Sequence, residues 1–194
     1  MVDQTGPVPS APPPADIEAI LARARAGDSD ALRALFRAYH PRLLRFLRAL
    51  EPRAADDLAG DVWLAVAGRI SRFEGGEAGF RAWLFAIARN RLADHRRRAA
   101  RRPRLVPLDD AEPAAPDDPA ATALDQLSAQ DAVDRLVADL SPDQTEVVLL
   151  RVVGGLSVDE VAALTGRSPG SVRVIQHRAL KRLARTLPPT AVTR

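Results

Sequence analysis

Apolar residues recur along this chain at three- and four-residue intervals, and no stretch keeps the strict alternation of a strand long enough to compete. The pattern predicts an all-α protein. An opening helix over about 16–26 starts at Asp16, a good N-cap, and stops at Gly27. Asp28-Ser29-Asp30 starts a second helix, with Ala31, Leu32, Leu35, Phe36 and Tyr39 on its apolar side. Pro41 can interrupt or restart that run, and Leu43, Leu44, Phe46, Leu47 and Leu50 continue its apolar content. Beyond a turn at Pro52, a helix over about 54–71 buries Leu58, Val62, Val66, Ile70 and either Leu64 or Ala65. Three glycines make Glu74 to Gly79 a loop, and a long helix follows from about Phe80 to Arg98.

The pattern then breaks. Prolines at 103, 107, 113, 116 and 119 stand among aspartates and alanines, a composition that cannot assemble a core. Helical spacing resumes over about 124–140, then behind Ser141-Pro142 from Asp143 to Val153. The predicted fold is therefore two small helical domains, residues 16–102 and 124–188. A flexible acidic linker over 103–123 joins them, and a proline-rich disordered tail over 1–15 precedes them.

The stretch from Leu156 to Leu183, LSVDEVAALTGRSPGSVRVIQHRALKRL, carries the most specific local signal. It predicts two helices around a sharp turn. Val161, Ala162 and Leu164 are the buried side of the first. Gly166 can take the left-handed conformation that ends a helix, Ser168 offers a capping hydroxyl, and Pro169 needs no backbone donor at a first helical position. This is the geometry of a helix-turn-helix, whose second helix enters the major groove of DNA. On that second helix Val172, Ile175, Ala179 and Leu183 share an apolar face, while Arg173, His177, Arg178, Lys181 and Arg182 spread over the rest. A helical hairpin with a solvated basic face has the same pattern.

Charge sharpens the reading. The net charge of +3 hides a segregation: +8 over residues 16–104, −6 over 105–130 and +2 over 131–194. Two basic blocks around an acidic connector suit two modules that face nucleic acid. The helix FRAWLFAIARNRLADHRRR interleaves Trp83 and Phe85 with arginines, as a single strand requires: flat faces for bases and cations for phosphates. The alternative is that both aromatics are simply core, since aromatics in helices more often pack than bind. Other chemistry is missing. There are no cysteines, and His40, His95 and His177 have no metal-ligand spacing. No glycine-rich phosphate loop or nucleophile elbow occurs, so no catalytic, metal or cofactor site is expected, and an enzyme is not the reading. No apolar run approaches the roughly 20 residues of a membrane span, and the first residues lack the basic start and apolar core of a signal peptide, so a cytoplasmic protein without membrane insertion is expected.

Taken together, DDLAGDVWLAVAGRISRF, GFRAWLFAIARNRLADHRRR and the block LSPDQTEVVLLRVVGG with the helix-turn-helix resemble an extracytoplasmic-function sigma factor of bacterial RNA polymerase. The resemblance covers about residues 16–102 and 128–186. It implies an alternative sigma factor that binds core RNA polymerase, with the second and fourth sigma domains kept and the third absent. The helix with Asp57, Leu58, Asp61 and Trp63 is similar to the surface that docks on the clamp helices of the β′ subunit. Many members carry a Gln-Glu pair where this chain has Gly60-Asp61. Phe73, Ile87 and Asn90 are similar to the pocket for a flipped base of the minus-ten element, an apolar wall with an amide to read the base edge. Arg89, Arg91, Arg96, Arg97 and Arg98 would then hold the phosphates of the melted strand. For the minus-thirty-five duplex the resemblance implies Ser171, Arg173, Val174 and His177 as readers, Arg178 and Lys181 on phosphate, and Arg167 near the backbone. Ile175 would be the buried position, turning Gln176 toward solvent or DNA. The β flap is the implied partner of the second domain, and an anti-sigma factor is admitted as a further partner. A stand-alone helix-turn-helix regulator is the alternative, which leaves the aromatic and arginine helix unexplained.

Overall fold

The structure, a computed structural model, describes residues 16–101 and 138–186. The expected tail over 1–15, the linker over 103–123, most of the helix over 124–140 and residues 187–188 lie outside the described residues.

Two aspartates set the first hairpin. Asp16 accepts from the backbone N–H of Glu18 and Ala19 at 3.1 and 3.2 Å and starts α1 (Ile17–Arg25). Asp28 accepts from Asp30 and Ala31 at 2.8 and 3.2 Å and starts α2 (Ser29–Leu50). The N–H of Ala31, with the Arg23 side chain 2.8 Å away, holds the Asp28 carboxyl below the usual carboxylate range. Pro41 neither ends nor restarts α2. A proline inside a helix costs about 3 kcal/mol, yet Leu35, Tyr39, Leu43, Phe46 and Leu47 are all buried on one side of it. Continuous packing across the proline outweighs the lost backbone bond.

A short 3₁₀ turn over Pro52–Ala54 leads into α3 (Ala55–Ala67), and a second one, Ile70–Arg72, follows it. The helix expected over 54–71 is thus shorter and ends in a separate turn that buries Ile70. Ala65 is the half-buried member of the ambiguous pair, and Leu64 is 73% exposed. Next, α4 (Glu77–Arg101) begins inside the expected loop. The cause is non-local: the Glu18 carboxylate of α1 accepts from the Glu77 N–H at 2.7 Å and caps α4 from outside. Phe46 and Phe85 meet edge to face at 5.3 Å, as do Tyr39 and Phe80 at 5.2 Å. With Leu84 and the α3 residues Val62 and Val66 they form the core of the first unit.

The second unit comprises α5 (Pro142–Val152), α6 (Val158–Thr165) and α7 (Pro169–Thr186). Ser141 with Gln144, and Ser157 with Glu160, form reciprocal capping boxes that start α5 and α6. Between them a Cβ on Gly154 would sit 2.6 Å from the Leu150 carbonyl oxygen, so the chain turns there only with glycine. Leu149, Leu150, Leu156, Val161, Val172, Ala179 and Leu183 are buried. The two units touch: α5 packs on α2, and α6 on α4. No strand occurs among the described residues.

Replacing Phe85, fully buried against Phe46, by alanine should destabilise the protein by about 3–5 kcal/mol. Urea unfolding measures it, and a loss below 1 kcal/mol would remove Phe85 from the core.

Candidate nucleic-acid interface

The helix-turn-helix forms as its residues dictate. Gly166 has φ 67° and ψ 26°, and its N–H donates to the Ala162 carbonyl, closing α6 in the left-handed cap. Ser168 Oγ accepts from the Ser171 N–H at 3.1 Å, which starts α7 with Pro169 in its first position. Val172, Ala179 and Leu183 hold α7 down from below. Arg173, Val174, His177, Arg178 and Lys181 are exposed along its other side, while Ser171 is half-buried. Five of the seven nominated duplex contacts therefore share one open surface about 12 Å long. Arg167 is not on it, since its guanidinium pairs with Asp143 of α5 at 2.8 Å. Gln176 does not turn to solvent either. Its carbonyl oxygen accepts from Arg151 Nε at 3.2 Å, because Arg151, which also donates to the Leu156 carbonyl, lies under α7 and draws the amide inward.

On α4 the nominated groups separate. Asn90 is exposed, but Ile87 is only 7% exposed. Phe73 is no open wall: Trp83 stacks on its ring at 5.1 Å, Phe80 meets it edge-on at 5.9 Å, and the Arg25 guanidinium sits over it at 5.3 Å. Arg25 also donates to the Gly75 carbonyl, and Gly75 has φ 130°, which a residue with a Cβ adopts at a cost. The aromatics thus pack among themselves, and Phe85 is core.

The arginines do not form one free stripe. Arg96 donates to the Leu50 carbonyl at 2.8 Å and lies near Glu51, and Arg97 pairs with Asp94. Arg91 is half-buried and Arg98 exposed. Arg89 reaches across to the second unit, where its Nε donates to Glu146 at 2.7 Å and its Nη1 to the carbonyl of Leu164, in the last turn of α6. No sequence signal foretold that contact, which joins residues 57 and 75 positions apart.

On α3, Asp57, Gly60, Asp61, Leu64 and Ala67 are exposed at helical spacing. Leu58 and Trp63, expected on the same surface, are 4% and 8% exposed and pack inward. They lie a residue or two off the exposed stripe and face the core. Phe36 and Leu64 were read as core or left ambiguous, yet are 40% and 73% exposed. The spacing of Leu64 from Asp57 and Asp61, seven and three residues, is the signal that could have placed it. Phe36 stacks on His40 at 4.3 Å and tilts against Trp63 at 5.1 Å.

An all-helical chain that presents a basic recognition helix, beside a second unit with an arginine-rich helix, is built as a DNA-reading transcription protein. Comparisons with known proteins make the class specific. The models "Sigma-70 region 2" and "Sigma-70, region 4" match residues 35–102 and 130–183. The chain is 38% identical over 178 residues to the ECF RNA polymerase sigma factor ShbA of Streptomyces griseus, an alignment covering 86% of this chain and 93% of ShbA. It is 37% identical to the ECF RNA polymerase sigma factor SigD of Mycobacterium tuberculosis, covering 86% and 82%. Among solved structures, the sigma factor RpoE in complex with the anti-sigma factor NepR from Bartonella quintana matches with a TM-score of 0.58 at 25% identity, covering 81% of this chain and 97% of that one. The chain belongs to the extracytoplasmic-function sigma factors, non-enzymatic alternative sigma factors that direct transcription initiation. None of its described helices is long and apolar enough to cross a membrane.

Burial pushes the His40 pKa below 6.5, with Asp56 opposing the shift and Arg48 adding to it. His40 Nδ1 is buried without a hydrogen-bond partner, so a proton there has no acceptor. A base whose folded pKa is depressed binds its proton more readily in the unfolded chain, so stability falls as pH drops below about 6.5. Melting temperature measured from pH 7.5 to 5.5 should decline, and His40→Gln should flatten that part of the profile.

Proposed function

We propose that the first unit, residues 16–102, docks on the β′ clamp of core RNA polymerase through α3 and opens the minus-ten element with α4. The second unit, residues 124–188, reads the minus-thirty-five duplex with α7 and meets the β flap. The exposed row Arg173, Val174, His177, Arg178 and Lys181 carries this reading. Arg173 and His177 lie one turn apart and can address successive base edges, with arginine suited to the two acceptors of guanine. The methyls of Val174 suit a thymine, and Arg178 and Lys181 suit phosphates. Ser171 stands at the start of the same surface. On α4, Asn90 reads the edge of an unstacked base. The exposed Arg97 and Arg98, further along the same helix, attract the strand.

Asp57 and Asp61 steer a basic docking surface toward α3 and set its register. Leu58 and Trp63 act from inside, holding that face in place. The protein works where bacterial RNA polymerase does, in the cytoplasm. RpoE is solved with an anti-sigma factor, and an inhibitor of that class is the proposed further partner here. Family membership sets aside the stand-alone regulator.

Arg89 ties the readers together. A strand phosphate and the Glu146 carboxylate compete for one guanidinium, so loading the melted strand and releasing α5 and α6 from α4 are opposite sides of one exchange.

Co-elution with sigma-free core polymerase, reversed by a related sigma factor, tests the docking; its absence would overturn the reading. Arg173→Ala should cost about 1–3 kcal/mol of discrimination at its base pair, measured by promoter binding of the reconstituted holoenzyme to single-base variants. Asn90→Ala should slow open-complex formation more than it weakens polymerase binding. Equal loss of both would mark Asn90 as structural.

A further inference from the structure

The turn from Phe73 to Glu77, which delivers the chain into α4, is held from outside by α1. The Arg25 guanidinium sits over the Phe73 ring at 5.3 Å and donates to the Gly75 carbonyl. Two residues on, the Glu18 carboxylate accepts from the Glu77 N–H at 2.7 Å. The Glu77 side chain is held as well, since Tyr39 of α2 donates to its Oε1 at 3.0 Å and Arg81 at 3.1 Å.

The two glycines of the turn answer to the contacts from α1. Gly75, whose carbonyl Arg25 takes, has φ 130°, a conformation costly for any residue with a Cβ. A Cβ on Gly76 would lie 2.6 Å from Glu18 Oε1, so glycine there is what admits the carboxylate. Adjacent glycines lose more chain entropy on ordering than other residues do. The side chains that hold them belong to a helix 50 and 59 positions back along the chain. Glu74, Gly75, Ala78 and Gly79 are exposed around the turn.

We infer that Glu18 and Arg25 are positioning residues for minus-ten recognition: they order the turn at the head of the strand-reading helix before the melted strand arrives. The inference rests on the minus-ten reading above and adds to it a helix with no assigned contact to DNA. Trp83, which stacks on Phe73, and Asn90 are seven residues apart on one side of α4, about 10 Å along its axis. A strand that meets Asn90 therefore runs close to the turn. The partner is single-stranded DNA, and a turn ordered in advance spares the strand the entropy of ordering it, which appears as affinity.

The test is the affinity of holoenzyme, reconstituted with the full chain, for a single-stranded oligonucleotide selected from a randomised pool on the unsubstituted holoenzyme. Core affinity, minus-thirty-five duplex affinity and melting temperature are recorded for every variant. Arg25→Ala and Gly76→Ala should each bind the oligonucleotide about tenfold more weakly, with core and duplex affinity unchanged. The salt slope should stay the same in Arg25→Ala, since a positioning residue neutralises no phosphate. A slope shallower by about 0.7 would make Arg25 a direct strand contact and overturn its role. Glu18→Ala combined with Gly76→Ala should lose no more than either alone, because both remove one hydrogen bond. Additive losses would overturn the inference, as would equal losses in core and duplex binding. Unchanged oligonucleotide affinity in both Arg25→Ala and Gly76→Ala would overturn it too, with the minus-ten reading left standing. If the unsubstituted holoenzyme selects no oligonucleotide, the minus-ten reading falls and the positioning role with it.

Discussion

The buried side of α2 is the constraint on which the rest of the molecule depends. The helices α1, α3 and α4 of the first unit all pack on it, and so does α5 of the second. That service explains why the helix runs unbroken through Pro41. A kink there would misalign Leu35 and Tyr39 with Leu43, Phe46 and Leu47, and three neighbouring helices would lose a common floor. Local backbone preference opposes the straight helix, and burial on several sides decides the outcome.

Much of this was legible because it is local. Caps at Asp16, Asp28, Ser141 and Ser168, the left-handed turn at Gly166 and the apolar face of α7 follow from side chains acting on their immediate neighbours. The resemblance to sigma factors likewise rested on segments read in order. What the chain hid is long-range. Glu18 moves the start of α4 by capping it from a distant helix, Arg151 turns Gln176 inward, and Trp83 and Arg25 close over Phe73. Periodicity names a face without naming what covers it. Hence Leu58 and Trp63 were expected at the surface of α3 and are buried, whereas Leu64 and Phe36 are exposed.

The two surfaces proposed to meet DNA differ in accessibility. The row on α7 is open as it stands, whereas α4 has Arg89 committed to Glu146 and Leu164. That pair is partly shielded from water, with side-chain exposures of 32% and 21%, so salt weakens it less than a fully exposed contact. The α7 row is thus accessible without rearrangement, whereas freeing the Arg89 guanidinium requires displacing a carboxylate.

The bond from Glu18 to the start of α4 also bears on the order in which the protein assembles. It spans 59 residues, so it cannot form while only the first hairpin has emerged from the ribosome. Until Glu77 is synthesised and docks, the Glu18 carboxylate has no N–H of α4 to receive, and once it docks, the first turn of α4 is secured by α1. A contact of such sequence separation closes a long loop at a cost in chain entropy. The N-terminal end of α4 is thereby tied to the segment made first, and loss of the Glu18 carboxylate would be felt 59 residues away.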